Sequence, residues 1–311
     1  MVMVTALAVL SAPAIVSAQE AAYPTKPIKL VIGYSPGSGA DLTTRAVAKA
    51  AEKYLGQPFI FTNVAGGSGI RALSSIVKEK PDGYTLSIFT IGVLITAITQ
   101  KTDFSVVKDF APVIQFNGNP MGFAVRKDAP WKTWQEFIKY AQGQKGVVTV
   151  GLAGSTSIGW FALMQIEKME NVKLTYVPFP GTPEVLTAIL GGHITANCFT
   201  TAMYYAKSGE LKLLLLFSDE RAKSFPDVPT ATELYGSEGI GFDGGFTGIL
   251  APKGLPEPIL NKLHDAIKKG TEDPEFRKLI TNMDLTFSYR GSKEFLSVIQ
   301  RSDEMIRKVV K

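Results

Sequence analysis

One cysteine, two histidines and three tryptophans in 311 residues leave several kinds of chemistry without their usual side chains. Cys198 alone cannot form an intrachain disulfide, so stability rests on a buried core. Its apolar surroundings mark it as a small buried side chain. His193 and His264 lie far apart, and Asp82, Asp227 and Asp243 form no EF-hand pattern, so no metal is expected. The 33 Lys and Arg against 28 Asp and Glu give a formal charge of +5, with no basic run of five or more. Scattered positive charge steers small anions; a nucleic acid needs a clustered basic track, so none is expected as a partner. No glycine turn is followed by the lysine of a P-loop. Gly37-Ser38-Gly39 also lacks the third glycine of a dinucleotide fingerprint, so no cofactor is expected.

Long apolar runs are also scarce. Residues 2–16 form one, and Val16-Ser17-Ala18 resembles a small-residue cleavage site, so 1–18 reads as an export signal cut after Ala18. No Lys or Arg precedes the run. The alternative, a buried N-terminal helix, is opposed by Pro13 within it. Nothing later has the length and uniform apolarity of a membrane span. At 45% hydrophobic and 20% charged, the rest is globular, and its length suits two domains.

From Tyr23 onward, short β-branched runs alternate with amphipathic stretches. Strands are expected at 30–33, 59–62, 85–90, 113–116, 122–126, 147–151, 174–177, 194–198 and 211–217. Helices are expected at 41–55, 70–80, 133–142, 157–170, 182–190, 256–269, 274–282 and 292–309. Such alternation indicates an α/β fold of parallel βαβ units. The rhythm breaks at 116–122 and again at 239–245. These are read as two crossings between lobes, which places 23–124 with 246–311 in one domain and 125–245 in another. A cleft between two such lobes favours a small ligand, and the crossings would serve as its hinge.

Two glycine-rich turns stand out: Ser35-Pro36-Gly37-Ser38-Gly39-Ala40-Asp41 and Ala65-Gly66-Gly67-Ser68-Gly69. Each follows an expected strand and opens an expected helix. The first N–H groups of a helix have no partner within it, and the dipole there favours negative charge. Glycine lets an anion approach that backbone closely. Taken singly, either turn is equally a tight turn of an α/β fold. Consecutive placement makes the pair a candidate anion site.

Other polar positions face the same gap on this reading. Ser155, Thr156 and Ser157 follow a strand and begin a helix, where capping is their ordinary role. Gly181-Thr182-Pro183 repeats the pattern, with Thr182 as cap and Pro183 first in the helix. Thr90, Thr200 and Thr201 end strands, where α/β sheets meet their ligands. Asp41 reads first as a helix cap and second as an acceptor for a ligand's ammonium or a bound water. Tyr34, Phe89, Trp160 and Phe246 are aromatic candidates for an apolar cleft wall, although most aromatics simply pack.

Gly33-Tyr34-Ser35-Pro36-Gly37 matches the G-x-S-x-G elbow of hydrolases, so a secreted serine hydrolase using Ser35 is the competing reading. The residue after the serine must supply an N–H to the oxyanion hole, and Pro36 has none. Not an enzyme is the expectation.

Several segments in this order carry a family resemblance. They are Tyr23-Pro24-Thr25-Lys26-Pro27-Ile28, the first glycine turn, Leu55-Gly56-Gln57-Pro58, Asn63-Val64 with the second turn, and Pro81-Asp82-Gly83-Tyr84-Thr85-Leu86. Further on come Lys108-Asp109-Phe110-Ala111-Pro112-Val113, Gly191-Gly192-His193-Ile194, Phe225-Pro226-Asp227-Val228-Pro229-Thr230 and Gly248-Ile249-Leu250-Ala251-Pro252-Lys253-Gly254. The chain resembles the periplasmic receptors of tripartite tricarboxylate transporters, the Bug-type receptors, over nearly all of its length after 22. The resemblance implies a two-lobed type II periplasmic-binding architecture with the ligand cleft between its lobes. It further implies a monomer in the periplasm, a small organic carboxylate as ligand and membrane permease subunits as partners. In that family the two glycine turns hold one carboxylate through backbone amides and bridging waters, and the second lobe selects the rest of the ligand. Family ligands include di- and tricarboxylates, acidic amino acids and aromatic carboxylates.

The ligand-contact candidates are therefore Tyr34, Ser35, Pro36, Gly37, Ser38, Gly39 and Asp41 of the first turn. Ala65, Gly66, Gly67 and Ser68 come from the second, together with Thr90. The second lobe contributes Ser155, Thr156, Ser157, Gly181, Thr182 and Thr200. Four departures keep ligand identity from being carried over. Ser38 stands within a usual glycine run, Thr195 replaces a common aspartate, the following stretch from Ala196 to Ala202 is shorter than usual, and Phe246 replaces a common tryptophan.

Overall fold

The computed structural model describes residues 23–100, 102–144, 146–218, 220–236 and 245–310. The expected export signal lies outside them, as does all of the second crossing except Gly245. The chain opens with β1 (Ile28–Ile32), α1 (Gly39–Leu55), β2 (Phe59–Asn63), α2 (Ile70–Ile76), β3 (Thr85–Thr90), α3 (Ile91–Thr99), α4 (Val106–Asp109) and β4 (Phe110–Asn119). It continues through β5 (Met121–Arg126), α5 (Trp134–Gly143), β6 (Thr149–Ala153), α6 (Ile158–Glu170), β7 (Thr175–Phe179), α7 (Thr182–Leu190), β8 (Ala196–Phe199), α8 (Ala202–Lys207), β9 (Leu211–Phe217) and α9 (Ala231–Tyr235). It closes with β10 (Gly245–Pro252), α10 (Glu257–Thr271), α11 (Pro274–Asn282), β11 (Arg290–Gly291) and α12 (Ser292–Val310).

The strands form two sheets, ordered β11-β4-β10-β3-β1-β2 and β7-β6-β8-β5-β9. The result is a mixed α/β, two-lobed molecule. The chain changes sheets at Pro120, so the boundary expected after Ala124 runs through β5.

Purely parallel sheets do not hold. β10 is antiparallel to both β3 and β4, and β5 is antiparallel to both β8 and β9. The cause is the crossing itself. β5 and β10 are the strands that enter each lobe from the other, so they run away from the gap while their long neighbours run toward it. In both sheets most strands therefore end at the gap, and the entering strand begins there.

Helices cover both faces of each sheet, which is why the strands read as nearly continuous apolar runs. Leu30, Val31, Ile32, Leu86, Ile88 and Ile249 are buried in the first lobe, and Phe123, Val125, Val150, Leu152 and Leu215 in the second. The inner face of α1 carries Thr44, Val47, Ala48, Ala51 and Leu55 at helical spacing. Its small alanines admit α10 at close range. A Cβ on Gly270 of α10 would stand 2.6 Å from the Val47 carbonyl oxygen and 3.2 Å from the Ala51 nitrogen.

Gly270→Ala therefore forces α10 away from α1 backbone, which has no rotamer to yield. The expected cost is about 1–3 kcal/mol, read as a lowered urea midpoint with an unchanged slope. An unchanged midpoint would contradict this packing.

Candidate functional site

A cavity of about 70 Å³ lies between the two sheets. Its wall follows from the strand directions. Thr90, Asn119, Ala153, Cys198 and Phe199 sit at the carboxyl ends of β3, β4, β6 and β8, and Tyr34 follows β1. Met121, Gly245 and Phe246 come from the first residues of the entering strands β5 and β10. Among the described lining residues none is charged.

Four helices begin at this wall. Ser38 and Ala40 belong to the start of α1, Thr90, Ile91 and Gly92 to α3, Ser157 and Ile158 to α6, and Thr182 to α7. The opening N–H groups of each helix lack intrahelical acceptors, and each dipole places partial positive charge there. Ser38 caps α1 by accepting from the Asp41 N–H at 3.3 Å, and Ser157 caps α6 by accepting from the Trp160 N–H at 3.2 Å. Each hydroxyl accepts from its own helix and so keeps its proton to donate. Among the described residues the wall is rich in donors and holds no cation, which suits an anion.

Asp41 is committed to its own loop. Its carboxylate accepts from the Gly37 N–H at 2.9 Å, from Arg45 Nε at 2.8 Å and from Asn63 Nδ2 at 2.8 Å, and the residue is 2% exposed. Arg45 also donates to Asn63 Oδ1 at 2.7 Å. The cap expected at Asp41 is supplied by Ser38, and Asp41 instead fixes the turn that presents the α1 start. Similarly, Gly181 rather than Thr182 caps α7.

The second glycine turn does not reach the wall. Gly66, Gly67, Ser68 and Gly69 all have positive φ, and a short 3-10 turn over Gly67–Gly69 precedes α2. The backbone of this turn packs against the first: a Cβ on Gly33 would stand 2.5 Å from Gly69 Cα. Ser68, a non-glycine residue at φ 54°, is 2% exposed and accepts from the Thr156 N–H at 3.1 Å. Thr156 also hydrogen-bonds Thr96 through its hydroxyl. The Tyr34 hydroxyl donates to the Ser68 carbonyl at 3.0 Å and meets Thr90 Oγ1 at 2.8 Å. Burial pushes the Tyr34 phenol up to about 12. Ser68 and Thr156 thus form a strut between the lobes, and Ala65, Gly66, Gly67, Ser68 and Thr156 lie outside the cavity lining.

Of the other expected residues, Tyr34, Ser38, Thr90, Ser157, Thr182 and Thr200 line the cavity. Ser35, Pro36, Gly37, Gly39, Ser155 and Gly181 lie outside that lining. A Cβ on Gly39 would be 3.0 Å from Thr200 Oγ1, and one on Gly37 would be 3.9 Å from Pro183 Cγ, so the first turn sits against the second lobe. Ala40, Ile91, Gly92, Asn119, Met121, Ala153, Ile158, Phe199 and Gly245 were not foreseen. Their common signal is a place at a strand end or helix start facing the gap, and all but Asn119 lack a polar side chain.

Ser35 is not a nucleophile. Its hydroxyl donates to Glu184 Oε1 across the gap at 2.8 Å, while His264 is occupied by Asp265 and Tyr289 at 2.8 and 2.9 Å. Cys198 is buried and its thiol is pushed up by burial, so it is no better a candidate. Among the described residues no group of three His, Cys, Asp or Glu could hold a metal, and no helix is long and apolar enough to cross a membrane. A fluorophosphonate probe should leave Ser35 unmodified at concentrations that label serine hydrolases completely. A labelled Ser35 peptide in the mass spectrum would contradict this geometry.

The chain matches the family described as "Tripartite tricarboxylate transporter family receptor" over residues 43–311. It is 35% identical over 280 residues to the "UPF0065 protein in gbd 5'region" of Cupriavidus necator, covering 89% of this chain and 84% of that one. Among solved structures, MatC from Rhodopseudomonas palustris with bound malate is 27% identical with a TM-score of 0.85, covering 93% of this chain and 100% of that one. A TctC solute-binding protein from Polaromonas with no ligand is 31% identical but superposes with a TM-score of 0.68, covering 93% and 99%. Ser38, Ala40 and the other helix starts thus face the gap of a periplasmic-binding fold, and the chain belongs to the tripartite tricarboxylate transporter receptor family.

Proposed function

We propose that the protein is a periplasmic receptor that captures an organic carboxylate between its lobes and delivers it to a tripartite tricarboxylate-type membrane permease. The observation that carries this reading is the convergence of four helix starts on one cavity with no charged side chain among its described lining residues. Fixed dipoles and N–H donors stabilise an anion in a low-dielectric space without the desolvation cost of burying a lysine or arginine. In this reading the Gly39 and Ala40 N–H groups and the Ser38 hydroxyl hold one carboxylate, and the second lobe closes over the remainder.

Closure is supported by contacts that span the gap. Ser35 meets Glu184, Ser68 meets Thr156, and Lys207 pairs with Asp284 at 2.6 Å. The chemical step is binding alone, so differential affinity for the closed state is the entire mechanism.

Calorimetry and thermal unfolding with a panel of organic acids test the reading. At 100 times its Kd, a true ligand raises stability by about 2.7 kcal/mol, whereas sugars and metal cations leave it unchanged. A protein that ignores every carboxylate but binds sugars or cations would refute it. Gly181→Ala supplies a second arm. Its φ of −167° is extended backbone that alanine adopts freely, but the new Cβ would stand 2.9 Å from Ser35 Cβ in the closed form. Affinity should fall at least tenfold while the free protein's unfolding midpoint holds. Unchanged affinity would show that closure does not bring these residues together.

A further inference from the structure

We propose that Asp284 latches the closed form: its carboxylate, taken by donors of the second lobe when the lobes meet, sets how long a bound acid is held. The inference rests on the carboxylate-receptor reading and adds to it a positioning residue outside the ligand cavity.

Asp284 occupies a place that disfavours aspartate on two counts. α11 stops with the Asp284 N–H donating to the Thr281 carbonyl at 3.2 Å and the Leu285 N–H donating to the Ile280 carbonyl at 3.0 Å. This stop requires left-handed backbone just past the cap, where glycine is the usual occupant, and Asp284 has φ 53°. The negative end of the helix dipole lies there too, and it repels a carboxylate. The side-chain hydrogen bonds that offset these costs go to the second lobe. Asp284 Oδ1 accepts from Lys207 Nζ at 2.6 Å and from Ser224 Oγ at 3.2 Å.

The pair is placed to act on the site. Thr200, which lines the ligand cavity, stands two residues before α8, and Lys207 is the last residue of that helix. Thr200 Oγ1 is 3.0 Å from where a Gly39 Cβ would stand, and Cε of Met283, the neighbour of Asp284, is 3.7 Å from the same point. Joining α8 to the end of α11 therefore holds Thr200 against the start of α1.

The strength of the latch suits a receptor. The Asp284 side chain is 15% exposed and that of Lys207 40%, so the pair is screened less than an open surface pair. Yet both donors go to one oxygen, and Asp284 Oδ2 is buried without a partner. A carboxylate satisfied on one side gives a modest gain, enough to prolong closure over a seated acid but not to close an empty gap.

The test is calorimetry and stopped-flow dissociation on the full chain with succinate, malate, citrate and benzoate, following whichever binds most tightly. Asp284→Gly and Lys207→Met should each weaken that acid about tenfold, mostly through faster dissociation. The double variant should be no weaker than the single ones, because either change opens the same pair. Glycine adopts φ 53° freely and removes the charge from the helix end. The free Asp284→Gly protein should therefore keep or raise its unfolding midpoint, whereas loss of a merely structural contact would lower it. Lys53→Met, which breaks an ion pair with Asp273 inside the first lobe, should leave affinity unchanged. Unchanged dissociation in Asp284→Gly, losses that add in the double variant, or a lowered midpoint would overturn the latch and leave the carboxylate-receptor reading intact. So would tighter binding in Asp284→Gly, the result expected if Lys207 served the ligand directly. Failure of all four acids to bind would overturn both.

Discussion

Strand direction is the constraint on which the rest depends. Once a chain builds two sheets whose long strands run toward a shared gap, the helices that follow those strands must start there. β1, β3, β6 and β7 lead into α1, α3, α6 and α7 in this way, and their unpaired N–H groups face a common space. β5 and β10 violate the parallel pattern because each arrives through the gap. The reversed direction of these two strands is thus a consequence of having two lobes joined by crossings, and they add Met121, Gly245 and Phe246 to the wall.

A wall made of backbone donors changes what the side chains must do. Side chains near the site hold loops in place or join the lobes, and few are left to touch a ligand. Asp41 gathers Gly37, Arg45 and Asn63 so that the α1 start is fixed. Ser68 accepts a strained backbone so that its hydroxyl can meet the Thr156 N–H. Ser35, the residue most suggestive of catalysis in the linear sequence, is a hydrogen-bond donor across the gap. The apolar side chains then remain to shape the cavity.

Much of the fold was legible because local signals agreed with it. The expected strand at 85–90 and helix at 182–190 match β3 and α7, and most other elements shift only at their ends. Two omissions have physical causes. Ile91–Thr99 is apolar almost all round, so it shows no helical period, and β10 begins in a glycine-rich stretch that reads as a turn. At the site, hydroxyls and glycines at helix starts were readable from capping chemistry, and Ser38, Ser157 and Thr182 do line the cavity. The second glycine turn takes a form that its sequence does not show. Its positive φ angles, which create a short turn before α2 instead of a helix mouth, are a property of tertiary packing against Gly33 and Tyr34. Buried wall residues such as Met121 and Phe199 carry no local mark that separates them from core.

The most direct measurement is a crystal structure of the receptor with the acid it retains on purification. The account predicts a carboxylate in the gap with its oxygens at roughly 2.7–3.2 Å from the Gly39 or Ala40 nitrogen. A carboxylate held instead by a lysine or arginine side chain, or bound outside the gap, would contradict it.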